Sequence, residues 1–276
     1  MIWTACKIVL RLLTPLHVGA GQLGNVQRTR PYVTGKALWG ALTARLTRDY
    51  SDLGGNYVTV GQRVNEELAF SYFYPAVGET VDLWPWGEAA DEFAWRYLGA
   101  YAGTALDYGR NAAEEGSLHE TEFIAPVTRD GQPVCLVGYV FERQDCSLPW
   151  RDVLSRLQLG GERTYGWGRV RVEPTSITIM PADGLFFGLY AAQLAGERPT
   201  LHLTGGSPLL AHARAGENAV AAEGRLTPLV GRETSAADRH GHDVAFVGVY
   251  WEPGSAVTAD ATFAIGHHGI SARGDA

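Results

Sequence analysis

Lysine is nearly absent from this chain: Lys7 and Lys36 are its only two, against 21 arginines in 276 residues. Arginine is the better residue for two-pronged contacts to phosphate, although a lysine-poor genome produces the same bias. No apolar run reaches the roughly 18–20 residues that a membrane-spanning helix needs, so a membrane partner is not expected. Residues Met1 to Lys7 lack the basic-then-apolar order of a secretory signal. Three cysteines (Cys6, Cys135, Cys146) have neither metal-ligand spacing nor an even count, which predicts a reducing, cytoplasmic setting. The 34 glycines and 13 prolines are dispersed, so they predict turns and long loops rather than a disordered tract.

Acid is missing where base is concentrated. Residues 1–48 hold seven cations and no carboxylate, whereas 49–122 hold 14 acids and three bases. The net charge of −7 therefore hides a basic N-terminal segment and a region 123–172 that sums to +2. Screening at physiological salt confines each charge to about 8 Å, so a local basic patch can hold phosphate on an acidic molecule.

What is present reads as alternating elements. Residues 5–14 place Ile8, Leu10 and Leu12 on one face, a strand that Pro15 ends. A polar, glycine-rich loop then runs to Tyr32. Thr34 caps a helix from Gly35 with Leu38, Leu42 and Leu46 as its apolar stripe. Tyr57–Val60 and Leu68–Tyr74 read as short strands, 75–90 as a loop, Glu88–Tyr101 as a helix and Thr104–Glu122 as irregular. Pro133–Glu142 is a strand apolar on both faces. Ser147 caps a helix carrying Val153, Leu154 and Leu157, and strand residues follow from Trp167 to Met180, broken at Pro174. This order predicts an α+β domain over 1–180 with a ferredoxin-like (RRM-type) βαββαβ core, interrupted by an insertion around 75–122. Residues 181–276, with strands near 185–190, 200–203, 245–251 and 256–265, predict a smaller β-rich C-terminal subdomain.

Two segments carry chemistry. In Leu159–Val170 (LGGERTYGWGRV), Gly160, Gly161, Gly166 and Gly168 permit positive φ and close approach of another backbone. Successive N–H groups in such a turn can cradle an anion. Arg163 and Arg169 can neutralise phosphates, Thr164 adds a hydroxyl, and Tyr165 and Trp167 offer stacking faces for bases. The second segment, TPLHVGAG at Thr14–Gly21, leads through Arg28 and Arg30 to PYVTGKALWGAL at Pro31–Leu42, where Lys36 sits in a helix's first turn; Arg45 follows on the same helix. Free N–H groups at a helix start favour phosphate.

These motifs, in this order, resemble the RAMP (repeat-associated mysterious protein) superfamily of CRISPR-associated proteins. The stretch Thr104–Glu122 (TALDYGRNAAEEGSLHETE) resembles that superfamily's segment of aspartate, arginine, small residues and glutamate. The resemblance covers residues 5–173 and implies a subunit of a type III CRISPR effector that binds CRISPR RNA and neighbouring backbone and large subunits, with target RNA a further partner. About a hundred residues follow Val170, a layout closer to the group that caps the guide's 5′ repeat handle than to the repeating backbone group. Backbone subunits that cleave target RNA carry an aspartate after the first strand. Here Val18–Tyr32 contains no Asp or Glu, so a non-catalytic role is expected and no cofactor or metal is called for. The alternatives are a repeating backbone subunit, or a CRISPR RNA-processing endoribonuclease with His17 as general base. The RNA-binding set is thus His17, Arg28, Arg30, Lys36, Arg45, Gly160, Gly161, Arg163, Thr164, Tyr165, Gly166, Trp167, Gly168 and Arg169. The run DRHGHD (238–243) is read as adventitious metal affinity at most, and Trp84-Pro-Trp86 as core filling or a partner anchor.

Overall fold

Alternation along Trp3–Leu12 (β1) has a direct structural cause, because the sheet it centres is covered on both faces. In the computed structural model, which describes residues 1–181, 183–216, 221–234 and 241–273, Cys6, Ile8, Leu10 and Leu12 face a helical layer. Trp3 and Ala5 face the opposite way, into a core shared with the C-terminal strands. The segment after β1 is not a loop but a hairpin of Gly19–Leu23 (β2) and Val26–Thr29 (β3), turning at Gly24 with φ 60°. Helix α1 (Gly35–Asp49) begins as the sequence predicts. The Thr34 hydroxyl accepts from the Ala37 N–H at 3.3 Å, and Leu38, Leu42 and Leu46 are buried.

The strand expected at Tyr57–Val60 is instead the first turn of a second helix, α2 (Tyr57–Glu67). Asn56 caps it by accepting from Thr59 N at 2.9 Å, and Val60 and Val64, one turn apart, share the buried face. Gly61 lets the Trp39 ring lie against the helix; a Cβ there would sit 2.9 Å from the ring, and the Trp39 indole N–H donates to the Gly61 carbonyl. Strands β4 (Leu68–Phe70), β5 (Tyr74–Val77) and β6 (Thr80–Val81) follow.

Helix α3 (Ala89–Tyr97) stops four residues before the expected end. Phe93 and Tyr97 pack beside the buried Trp84, and Leu98–Gly103 becomes strand β7. The stretch read as irregular contains β8 (Leu106–Asp107), β9 (Ala112–Ala113) and β10 (His119–Ile124). Strand β10 pairs with β7 and, in parallel, with β3, so the N-terminal hairpin and the insertion build one four-stranded sheet, β2-β3-β10-β7.

Strand β11 (Val134–Arg143) is buried over most of its length because Leu136 and Val140 face the helices while Tyr139 and Phe141 face the C-terminal core. The helix expected from Ser147 is a single turn, α4 (Trp150–Val153), continued by a 3₁₀ turn at Leu154–Arg156. Ser147 does not cap it: its N–H donates to Glu67 at 2.7 Å. Strand β12 (Val170–Ile179) pairs with β1 across an irregularity between Ile8 and Leu10, and continues past Pro174. The main sheet runs β12-β1-β11-β5-β6, with β4 also on β11, and every pairing is antiparallel. The architecture is mixed α+β with few helices and many strands.

The C-terminal part forms a seven-stranded sheet. It comprises β13 (Ala191–Gln193), β14 (Thr200–Leu203), β15 (Ala213–Arg214), β17 (Leu226–Glu233), β18 (Asp243–Trp251), β20 (Ala261–Ile265) and β21 (Ser271–Arg273), with β16 (Ala222–Glu223) paired to β19 (Ala256–Val257). Leu185–Tyr190 is a turn, not a strand. Its Phe186 ring stacks on Phe141 at 5.3 Å and meets Tyr139 at 4.6 Å. Strand β17 escaped the sequence reading because Pro228 interrupts it; as an edge strand it tolerates the missing donor.

A buried polar knot joins the two parts. His212 Nε2 lies 3.2 Å from Arg30 and 3.3 Å from the Tyr32 hydroxyl, and Nδ1 lies 2.8 Å from the Tyr72 hydroxyl. Arginine can only donate, so Nε2 accepts and Nδ1 carries the proton. Burial, aided by the Arg30 charge, pulls the His212 pKa well below the usual histidine value. Below about pH 6.5 an unfolded His212 takes up a proton that the folded one refuses, so acid favours unfolding by at most about 1.4 kcal/mol per pH unit. Thermal melts of wild type and His212→Gln at pH 7.5 and 5.5 check this: the wild type should lose more Tm on acidification than the variant.

Candidate nucleic-acid interface

The two motif segments, far apart in sequence, are zipped together through backbone. Gly168 N donates to the Pro15 carbonyl at 2.7 Å, Gly161 N to the His17 carbonyl at 2.8 Å, and Leu13 N to the Arg169 carbonyl at 2.9 Å. Arg169 N donates to the Thr14 hydroxyl at 3.0 Å. Gly160 and Gly168 hold φ of 72° and 77°, and each meets backbone where a Cβ would go, 2.1 Å from the His17 oxygen and 1.9 Å from the Leu159 oxygen. Glycine is required at both. Gln158 pins the turn from inside, its Nε2 donating to the carbonyls of Arg163 (2.9 Å) and Trp167 (2.8 Å).

This stitching changes how the turn can hold an anion. The N–H groups of Gly161, Tyr165, Gly166, Trp167 and Gly168 donate to carbonyls of the protein, so these five are already engaged. Arg163, Thr164, Tyr165 and Arg169 are exposed, Tyr165 at 80%. Trp167 is half-buried, edge-on to Phe123 at 5.3 Å and to Tyr101 at 6.4 Å. These two rings were missed in the sequence, Tyr101 because it was placed on a helix and Phe123 because it followed a segment read as irregular.

The remaining sequence-selected residues fall into separate places. His17 is buried, its Nδ1 donating to the Glu122 carbonyl at 2.8 Å, so it fastens β10 to the end of the first-strand motif. Arg28 is exposed beside the turn's strand layer and pairs with Glu122 at 2.7 Å. Arg30 instead reaches His212 in the seam between the two parts. Lys36 donates to the Arg232 carbonyl, and burial lowers its pKa against the opposing charge of Glu233. Arg30 and Lys36 line a cleft of about 330 Å³ with His212 and Arg232. Arg45 lies on the other side of α1, in a concavity of about 320 Å³ shared with Arg163 and Thr164 and also lined by Arg48 and Arg156. Arg156 escaped selection because its segment reads as an amphipathic helix, where an exposed cation is ordinary.

Other candidates resolve simply. Asp107 accepts from the N–H groups of Gly109 (2.9 Å) and Arg110 (3.2 Å), closing its own turn. Trp84 is buried against Phe93, whereas Trp86 is 41% exposed. Asp238 and His240 lie outside the described residues, and among the described ones no three His, Cys, Asp or Glu side chains converge as metal donors. Among the described residues no helix is long and apolar enough to cross a membrane.

No family model and no curated protein matches the chain. Among solved structures its neighbours are chains of type III-B Cmr-beta complexes. One, from the complex bound to cognate target RNA, is 13% identical with a TM-score of 0.44, over 64% of this chain and 61% of that one. This chain thus spans less than two-thirds of that neighbour's length. Another, from the complex bound to cognate target RNA and AMPPnP, is 12% identical with a TM-score of 0.48, over 91% of this chain and 85% of that one. A third, from the apo complex, is 11% identical with a TM-score of 0.40, over 63% of this chain and 96% of that one.

Replacing Gly160 by alanine forces both a left-handed φ and a collision with backbone that cannot move without opening the zip. We expect a loss of roughly 2–4 kcal/mol in denaturant unfolding. Gly166→Ala, with φ 81° but open space around the Cβ position, should cost no more than about 1–2 kcal/mol.

Proposed function

We propose that this chain is a non-catalytic CRISPR RNA-holding subunit of a type III effector ribonucleoprotein, acting in the cytoplasm beside backbone and large subunits. The carrying observation is the zip between the Thr14–His17 segment and the Gly160–Arg169 turn, which joins both RAMP-like motifs, with Arg163, Tyr165 and Arg169 exposed on the turn and Arg28 exposed on β3. The strand order β12-β1-β11, with β4 and β5 both pairing β11 on the side away from β1, supports the finer assignment, a ferredoxin-like βαββαβ core over 1–180 in which α2 and the 75–122 segment are additions. The β-rich part after the turn supports the handle-capping position over the repeating backbone position. Arg28, Arg163 and Arg169 would contact guide phosphates, and Tyr165 would stack on a base. Arg30 and Lys36 would act at the seam cleft.

A structural role for His17 supports the absence of catalysis. Its Nδ1 proton is committed to the Glu122 carbonyl and the residue is only 7% exposed, which disfavours approach of a ribose hydroxyl. Purified protein incubated with repeat RNA should leave it intact, and His17→Ala should lower stability by about 1–2 kcal/mol without altering RNA integrity. Specific cleavage that disappears in His17→Ala would make the chain a processing nuclease. In the assembled complex, the double variant Arg163→Ala/Arg169→Ala should weaken guide binding and flatten its dependence on salt by about two phosphates' worth. Unchanged affinity would remove the turn from the interface.

A further inference from the structure

Between α1 and the glycine-rich turn lies a concavity lined by four arginines, Arg45, Arg48, Arg156 and Arg163. Ala41, Ala44, Arg45 and Arg48 recur at i, i+3, i+4 and i+7 along α1, so they share one helix face; Arg156 and Arg163 close the far wall. The two alanine methyls make a shallow floor that lets a ligand approach the helix closely. Two of the four guanidinium groups share one carboxylate. Asp49 accepts from Arg45 Nε at 2.8 Å and from Arg156 at 2.7 Å. It therefore holds two guanidinium groups in place while using one N–H of each. Arg48 and Arg163 are in no ion pair among the described residues.

We propose that this concavity is a phosphate pocket for an RNA strand, with Arg48 and Arg163 as its principal ligands and Arg45 and Arg156 as cations pre-set by Asp49. The inference rests on the RNA-holding function proposed above and names where one stretch of backbone is gripped. Four cations against one carboxylate suit an anion carrying more than one charge, and planar guanidinium forks match phosphate oxygens two at a time. An acidic peptide would also satisfy the charge. What favours RNA is the neighbouring turn: Arg163 belongs to both, and two residues on, Tyr165 presents an 80% exposed ring where a base from the same strand can stack. Asp49 costs little here, because its charge is already neutralised by two arginines and it repels a phosphate mainly at short range.

Arg48 is exposed and unengaged, so its replacement should leave the fold intact, which equal Tm values would verify. The test uses the full chain, fluorescence anisotropy and a labelled oligoribonucleotide over a KCl series. Arg48→Gln should bind about tenfold more weakly, with a log K versus log salt slope shallower by about one, and Arg48→Lys should recover most of the slope. If Arg48→Gln and Arg156→Gln bind as wild type while Arg163→Ala/Arg169→Ala loses affinity, the pocket is refuted and the RNA-holding function survives. If wild type shows no salt-dependent RNA binding, that function falls, and RNA as the occupant falls with it. If a poly-glutamate peptide binds wild type more tightly than RNA and is lost in Arg48→Gln, an acidic protein segment occupies the pocket and the RNA assignment is overturned.

Discussion

Everything specific about this surface depends on two backbone segments lying closer than any side chain would allow. The carbonyls of Pro15 and His17 each take an N–H from the glycine-rich turn, and Gly160 and Gly168 have no room for a β-carbon. Strands β1 and β12 are neighbours in the sheet, so the zip continues their ladder beyond the sheet's end rather than forming a separate loop. Because five of the turn's N–H groups are used in holding it, its conformation is set by the chain itself. Side chains mounted on such a fixed frame pay a lower ordering cost in any contact they make.

The second constraint is a sheet buried on both sides. Helices α1 and α2 cover one face, and the C-terminal strands cover the other through Trp3, Tyr139, Phe141 and Phe186. Covering the second face brings His212 against Arg30, Tyr32 and Tyr72, and so diverts Arg30 from open solvent to the seam. A cation that looks like part of a basic stretch in the sequence thus becomes a donor in a buried network. Burial keeps that histidine neutral, which the arginine next to it reinforces.

Local patterns were legible where one residue type suffices to fix one outcome. Thr34 and the Leu38–Leu42–Leu46 stripe located α1, alternation located β1, and the continuous apolar run of β11 announced burial on both faces. The misreadings share a cause: partners distant in the chain decided the conformation. Tyr57–Val60 carries strand-forming residues, yet Asn56 and the Trp39 ring over Gly61 make it helical. Gly19–Thr29 looks like a loop until β10 supplies edge pairing from nearly a hundred residues away. The glycine-rich turn is legible as a turn, but nothing in its sequence shows that the Pro15 and His17 carbonyls take the N–H groups of Gly168 and Gly161. Arg48 reads in the sequence as a cation suited to the C-terminal end of α1 and Arg156 as an exposed cation of an amphipathic helix; only the fold brings α1 and the 154–156 turn to one concavity.

The overall acidity of the chain is compatible with holding an anion because the acids nearest the candidate cations have specific positions. Glu122 accepts both from Arg28 and from the Thr29 backbone N–H, and Asp49 accepts from Arg45 and Arg156. Each carboxylate occupies one or two of an arginine's five donors and fixes the direction of the rest. An unpaired arginine would have to lose most of its side-chain freedom on binding, at a cost of up to about 2 kcal/mol. A guanidinium already oriented by a carboxylate has lost much of it on folding. Net charge counts all of these acids equally, whereas a ligand within a screening length feels the guanidinium edges first. The negative total and an arginine-lined surface are therefore compatible, because Glu122 and Asp49 orient the guanidinium groups they pair with.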